Sequence, residues 1–316
     1  MRALGAVVAV LAFILLTPAT SPTLERVDGP ALRIGDTWTY HSNTSLGTTF
    51  YFDGQVTLTV LYKGPVLIEG VDVDAYRLQV SGVGTAAGTF SGQFGTAPAS
   101  GSWVVSGQET LESAGLKSIA SVLDLEANGT LDTLPVRLQF QLSVQNTTTY
   151  RFTQDQWRFP LSVLNATVVH GQMNYSEDFR LFYGLPTTPS HSAGILAWNI
   201  SYAMEAHTAI DTPAGHFDAW RIRQTFPDRT FNLLFYAPTA GNYARTETYQ
   251  GSNRVATTEL TSYRYQALEP PTFGGFTSSQ WAVFVAVVAV AVVGIFFINR
   301  RRKKPQPPAE PPPVAP

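Results

Sequence analysis

An aspartate and an arginine three residues apart occur twice in this 316-residue chain, in the same local text. Asp74-Ala75-Tyr76-Arg77-Leu78 is echoed by Asp218-Ala219-Trp220-Arg221-Ile222. A carboxylate and a guanidinium held side by side would grip a polar ligand. On a regular strand, however, successive side chains alternate between faces, so residues three apart point to opposite sides. Only a bulge between them would restore a pair. What the two copies share is then an aromatic ring placed just after a turn. Tyr76 and Trp220, together with Trp38, are expected in the core.

The remaining chemistry-bearing residues are scattered. The five histidines are His41, His170, His191, His207 and His216; none forms an i, i+4 pair and no HExxH occurs. Glu205 and His207 would share a face of a regular strand, the start of a metal site or an acid–base pair, but a solvated face explains them as well. Ser190-His191-Ser192 reads as loop. There is no Gly-x-Ser-x-Gly elbow and no glycine loop opening a helix for phosphate. Glu177 and Asp178 are adjacent and diverge on a strand, so nothing selects a glycosidase-type carboxylate pair. No catalytic residue, metal ligand or cofactor is expected. Trp103, Trp157, Trp198 and many tyrosines would suit sugar or lipid, although cores use such rings more often.

The elements that would position these residues are strands. Segments 55–62, 137–144, 230–236 and 246–249 alternate polar and apolar residues with period two. Turn signals separate them: Asp53-Gly54, Lys63-Gly64-Pro65, Asn128-Gly129, Pro213-Ala214-Gly215, Pro227-Asp228 and Gly251-Ser252-Asn253. Segment 81–102, rich in Gly, Ser, Thr and Ala, reads as weak strands with turns. Segment 116–126 has apolar residues at helical spacing between strands and reads as strand, with a short helix as the alternative.

The two ends set the location. Met1-Arg2, an apolar run and small residues around Ala19 have the three-part form of a secretory signal, assigned to 1–21. Residues 281–298 are apolar, long enough to span a bilayer, and start on Trp281. Arg300, Arg301, Arg302, Lys303 and Lys304 follow and act as a stop-transfer block, placing the tail (299–316, Pro-rich) in the cytoplasm and everything before the span outside. A stalk occupies 267–280.

Composition excludes several classes. Arg2 and the basic block hold six of the 21 cationic residues and Glu310 one of the 23 acidic ones, so the stretch between carries about −7. With no basic stripe, nucleic acid is not an expected partner. The chain has no cysteine, hence no disulfide framework and no thiolate chemistry. Six of the ten asparagines head Asn-x-Ser/Thr triplets: Asn43, Asn128, Asn146, Asn165, Asn174 and Asn199. That excess marks them as candidate N-glycan acceptors. Signal, single span and sequons without cysteines fit an archaeal surface protein better than a eukaryotic one.

The echo extends to the order of features, which suggests two β repeats, 24–150 and 151–266. In the second, Thr212-Pro213-Ala214-Gly215-His216-Phe217-Asp218-Ala219-Trp220-Arg221-Ile222 and Phe235-Tyr236-Ala237-Pro238, with Gly241 and Arg245, carry a resemblance. So does Gly35-Asp36-Thr37-Trp38-Thr39-Tyr40. The chain resembles exported bacterial and archaeal β-domains whose fold is similar to the lipoprotein-carrier (LolA/LolB-like) half-barrel. The resemblance implies a curved antiparallel sheet with a concave apolar face and carries over no catalytic residues. The expected protein is all-β: a duplicated antiparallel curved sheet, half-barrel or sandwich-like, plus one C-terminal transmembrane helix. Its expected role is single-pass display of a non-enzymatic ectodomain that binds an apolar or glycan ligand or builds the envelope. Two alternatives stand: an extracellular hydrolase or metal-dependent enzyme, and a self-associating adhesion or layer protein.

Overall fold

The computed structural model describes residues 25–46, 50–92, 95–133, 136–183 and 189–266. The signal, stalk, span, stop-transfer block and tail expected from the sequence lie outside them. No helix occurs among the described residues. The strands of the first stretch are β1 (Arg26–Val27), β2 (Thr37–Leu46), β3 (Phe50–Ile68), β4 (Val71–Gly92), β5 (Gly95–Glu112), β6 (Ser118–Thr133) and β7 (Val136–Gln154). Those of the second are β8 (Leu161–Ser162), β9 (Ala166–Tyr183), β10 (Ser190–Ala197), β11 (Ile200–Thr212), β12 (Gly215–Thr225), β13 (Thr230–Ala237), β14 (Asn242–Gln250) and β15 (Asn253–Arg264).

Every pairing is antiparallel. The sheet runs β9-β11-β12-β13-β14-β15-β2-β3-β4-β5-β6-β7, and β7 returns to pair with β9, which closes a barrel of twelve strands. The closed ring corrects the half-barrel or sandwich expectation. It forms because β15 pairs with β2 at one seam and β7 with β9 at the other, so both stretches share one continuous sheet. β10 stands outside the ring. It continues the line of β11 along the same edge of β9, after a break at Trp198 and Asn199.

Inward residues are mostly apolar and form one cluster that takes in every strand of the ring, with buried polar side chains such as Asn146, Gln224 and Asn232 among them. Outward residues of the long strands are mostly polar and exposed, as at Gln79, Ser102, Gln108, Asn128 and Gln141, with Val83, Val104 and Val122 exposed among them. A membrane-spanning barrel carries instead a continuous apolar outer band.

Several sequence signals read differently in three dimensions. Asp53-Gly54, Lys63-Gly64-Pro65 and Asn128-Gly129 lie inside β3 and β6 rather than in turns. Gly54, Gly84 and Trp103 are register neighbours on β3, β4 and β5. A Cβ on either glycine would come within 2.6 Å of the Trp103 ring. The glycines are a slot for the indole, whose Nε1 donates to the Thr85 carbonyl at 3.1 Å. Gly101 and Gly129 pair in the same way, with Phe140 pressed on Gly129. Residues 81–92 and 95–102 thus belong to the long strands β4 and β5, and 116–126 is strand from Ser118, after a turn in which Leu116 has φ 56°. The Ser190-His191-Ser192 stretch is strand, not loop.

One end of the barrel is closed by chain 25–36 and the segments it meets. The Asp36 carboxylate accepts from the backbone N–H of Arg33 (2.8 Å) and of Gln266 (3.0 Å). The Trp38 indole donates to the Ala240 carbonyl at 2.7 Å. Beside them Lys117 is buried, its Nζ within 2.5 Å of Glu112, 2.7 Å of Asp155 and 3.1 Å of the Trp157 carbonyl. A charge so placed is tolerated only because both carboxylates compensate it.

Candidate functional site: a polar trough on the outer wall

The side chains of the concave face pack on one another and form the hydrophobic core. Two inward carboxyls belong to that core. Glu109 is fully buried and pushed well above the usual carboxylate range by desolvation; Ser118 lies beside it, yet neither closes a regular hydrogen bond. Glu177 is pushed up to about 7 by the same cause. A desolvated carboxyl without a cation prefers its neutral form.

The chemistry lies on the opposite face of β12–β15 and β2–β3. Antiparallel register brings outward side chains into rows. Arg221, Phe235, Arg245, Glu259, His41 and Gln55 form one; Arg223, Leu233, Glu247, Thr257, Asn43 and Asp53 form the next. Between β14 and β3 these rows line a depression of about 500 Å³, with Asn43, Ser45, Ala256 and Thr257 among small lining residues and His41, Tyr51, Arg245, Glu247, Arg254 and Glu259 as longer ones.

Each ion in the trough has a counter-ion. Arg245 Nε lies 2.9 Å from Glu259, and its Nη2 donates to the Asp211 carbonyl at 2.6 Å. Glu247 accepts from the Tyr249 hydroxyl at 2.8 Å and from Arg254 at 3.4 Å. Burial and the donation to Glu247 both hold the Tyr249 phenol above its ordinary value. Asp53 takes His41 Nε2 at 3.2 Å and Asn43 Nδ2 at 3.1 Å. Past the trough's end, Phe231 and Tyr249 stack at 4.9 Å, and the Arg223 guanidinium sits 4.3 Å above Phe231. Glu205 then holds Arg223 and Arg221 at 2.5 and 2.9 Å.

The residues singled out from sequence fall elsewhere. Trp38, Tyr76 and Trp220 are buried. Arg221 pairs with Glu205, whereas Arg77 lies over the Tyr62 ring, so the two Asp-x-x-Arg copies have different partners. Glu205 and His207 do not act together: a register shift between Met204 and Ala206 separates them. His207 instead stacks on Trp220 and meets Glu25 at 3.1 Å. No group of three or more His, Asp or Glu able to hold a metal occurs among the described residues. Of the sequons, Asn146 faces inward at 2 % exposure, so no glycan fits on it in the folded barrel. The Asn174 amide donates to Glu69. Asn128, Asn165 and Asn199 are exposed, and Asn43 is a wall of the trough.

Sequence reasoning missed the trough. The signal was the alternation Arg245, Glu247, Tyr249, one face of a strand, followed by the Gly251-Ser252 turn that folds Arg254 and Glu259 back beside it.

No family model matches this chain, and no curated protein matches it. One solved structure does: an exported protein with a YmcC-like fold from Bacteroides fragilis, 13 % identical, with 76 % of this chain and 99 % of that one covered at a TM-score of 0.28. A superposition that low says nothing about what either protein binds.

Proposed function

We propose that this chain is a non-enzymatic, envelope-facing binding protein whose outer trough takes a neutral, hydroxyl-rich ligand, a glycan. The observation that supports this is the interleaving of donors and acceptors with cancelling charge. Arg245 and Arg254 are matched by Glu259 and Glu247, so no net field selects a charged ligand. A sugar hydroxyl both donates and accepts, and neighbouring pairs such as Asn43 with Asp53 or Arg254 with Glu247 suit vicinal hydroxyls. Tyr51 offers a ring for the apolar face of a sugar. An enzyme reading has less support, because each trough carboxylate is already engaged by a cation, an amide or a phenol. An apolar-ligand reading would rest on the inner face alone, whose side chains pack on one another. The signal and span expected from sequence would hold the barrel outside the cell on a membrane anchor.

Titration calorimetry of the purified chain against neutral oligosaccharides tests the reading. Binding should fall at least tenfold in Arg254→Ala and Glu247→Gln while thermal midpoints stay within a few degrees. Absence of binding across the panel, or binding indifferent to both substitutions, refutes it. Asn43 adds a check, since a glycan attached there would break its bond to Asp53 and fill the trough. Mass spectrometry of the native protein should find Asn43 unmodified.

A further inference from the structure

β10 is an open edge. Its one partner strand among the described residues is β9, along an uninterrupted register from Ser190–Phe179 to Ala197–Gln172. Proteins blunt such edges with lysine, proline, bulges or very short strands. β10 has none of these. It is eight residues long, reads SHSAGILA, and carries one titratable side chain, His191, which is 3.1 Å from Asp178 on β9. Both faces are open, with Ile195 67 % and Leu196 46 % exposed.

The direction of its backbone groups follows from one bond. Trp198 N–H donates to the Gly171 carbonyl, next to the Ala197–Gln172 pair. In an antiparallel ladder N–H and C=O of one residue point the same way and alternate along the strand. The even-numbered residues of β10 therefore bond to β9. His191, Ala193, Ile195 and Ala197 present their N–H and C=O groups to the open side.

We propose that this edge pairs with β10 of a second copy of the chain, antiparallel, about a twofold axis through Gly194. That register sets Ala193 against the partner's Ile195 and His191 against the partner's Ala197. It satisfies the four open residues of each copy with about eight hydrogen bonds. Gly194 meets its own mate at a non-hydrogen-bonded position, where backbones come closest. Leu196 lies against the partner's Ser192 on one face and Ile195 against the partner's Ala193 on the other. No like charges face each other across the axis, which favours a second copy over a charged partner strand. The surface is distinct from the trough and independent of what the trough binds.

The absence of native cysteine makes the test direct. Gly194→Cys should give a disulfide-linked dimer under mild oxidation, its new Cβ needing only a small shift of the Tyr175 ring. Ser192→Cys should not, because its mate lies about 14 Å away in this register. Sedimentation velocity of the unmodified full chain should show a dimer, and Ala193→Pro, which removes one open N–H, should convert it to a monomer with an unchanged β-sheet circular dichroism spectrum. A monomer at all concentrations, equal cross-linking of both cysteine variants, or a dimer indifferent to the proline overturns the proposal.

Discussion

The barrel has two unlike walls. β3–β7 and β9 are 16–22 residues long, whereas β11–β15 and β2 are 8–13. The long wall places aliphatic side chains inside, with alanines and with rings seated over glycines, and outside mostly Ser, Thr and Gln among scattered ions and valines such as Glu126, Arg137, Val83 and Val104. The short wall places tyrosines and amides inside and ions outside. Its interior is tied by Gln224, which donates to the Tyr202 hydroxyl and accepts from Asn232, both at 3.0 Å, and by a Thr258–Ser42 hydroxyl pair at 3.0 Å. Each wall spends its sequence differently. The long one seats rings in slots made by glycines on neighbouring strands. The short one satisfies its interior with hydrogen bonds, and charged rows on its outer face surround the trough.

The largest expected effect lies at the foot of the long wall. Lys117→Met removes the one cation between Glu112 and Asp155 and leaves two mostly buried carboxylates facing each other. Such a break costs about 3–5 kcal/mol, read as a lowered urea midpoint. If the variant melts like the parent, the end closure does not depend on the ion cluster. Gly84→Ala comes next. Its Cβ would lie 2.1 Å from the Asp53 carbonyl oxygen and 2.6 Å from Trp103. Overpacking of this kind costs about 1–3 kcal/mol. In a Trp103→Ala background, itself costly because it empties a buried slot, Gly84→Ala should add less than it does alone; additive losses would mean that the clash is with the backbone alone.

These two positions also show where sequence reading reached and where it stopped. Period two revealed strands, because alternation is local. It also placed Asp218 and Arg221 on opposite faces, and Arg221 does look outward to Glu205. Gly54 and Gly129 passed for turns because a glycine that makes room for a ring is written like one that bends the chain. The ring that decides the matter, Trp103 or Phe140, sits on another strand. Lys117 carries no local signal of its role, since its partners are 5 and 38 residues away. Ring closure was invisible for the same reason: the β7–β9 and β15–β2 pairings join segments that share no local signal. The trough needs the second of these seams, which brings His41 and Asn43 beside Glu259 and Thr257.

A pH series sharpens the contrast between walls. Glu177, on the long wall, titrates near 7 when folded, above its unfolded value. The folded state thus binds the extra proton between about 4.5 and 7. Its contribution is complete below that window and is lost as pH rises through it, by about 1–3 kcal/mol. Glu177→Gln should make the stability profile shallower across that interval and leave acid stability unchanged, the slope that remains belonging to Glu109, which burial raises in the same direction. A profile whose slope is undiminished in the variant would assign the whole titration to Glu109 or another group.

The smallest stability effect belongs to the outer face of the short wall. Arg254 is 55 % exposed and reaches Glu247 at 3.4 Å. An exposed ion pair contributes about 0–1 kcal/mol, because water screens it and ordering two long side chains opposes it. Arg254→Ala should therefore change the melting midpoint by no more than a few degrees while it removes a principal donor from the trough. Glu247 is different: it is 12 % exposed, and the Tyr249 hydroxyl also depends on it. Glu247→Gln keeps an acceptor for that hydroxyl, so it too should melt near the parent. If Arg254→Ala instead unfolds the barrel, the charged rows are a structural brace, and the long and short walls differ in how they are held together rather than in what they are for.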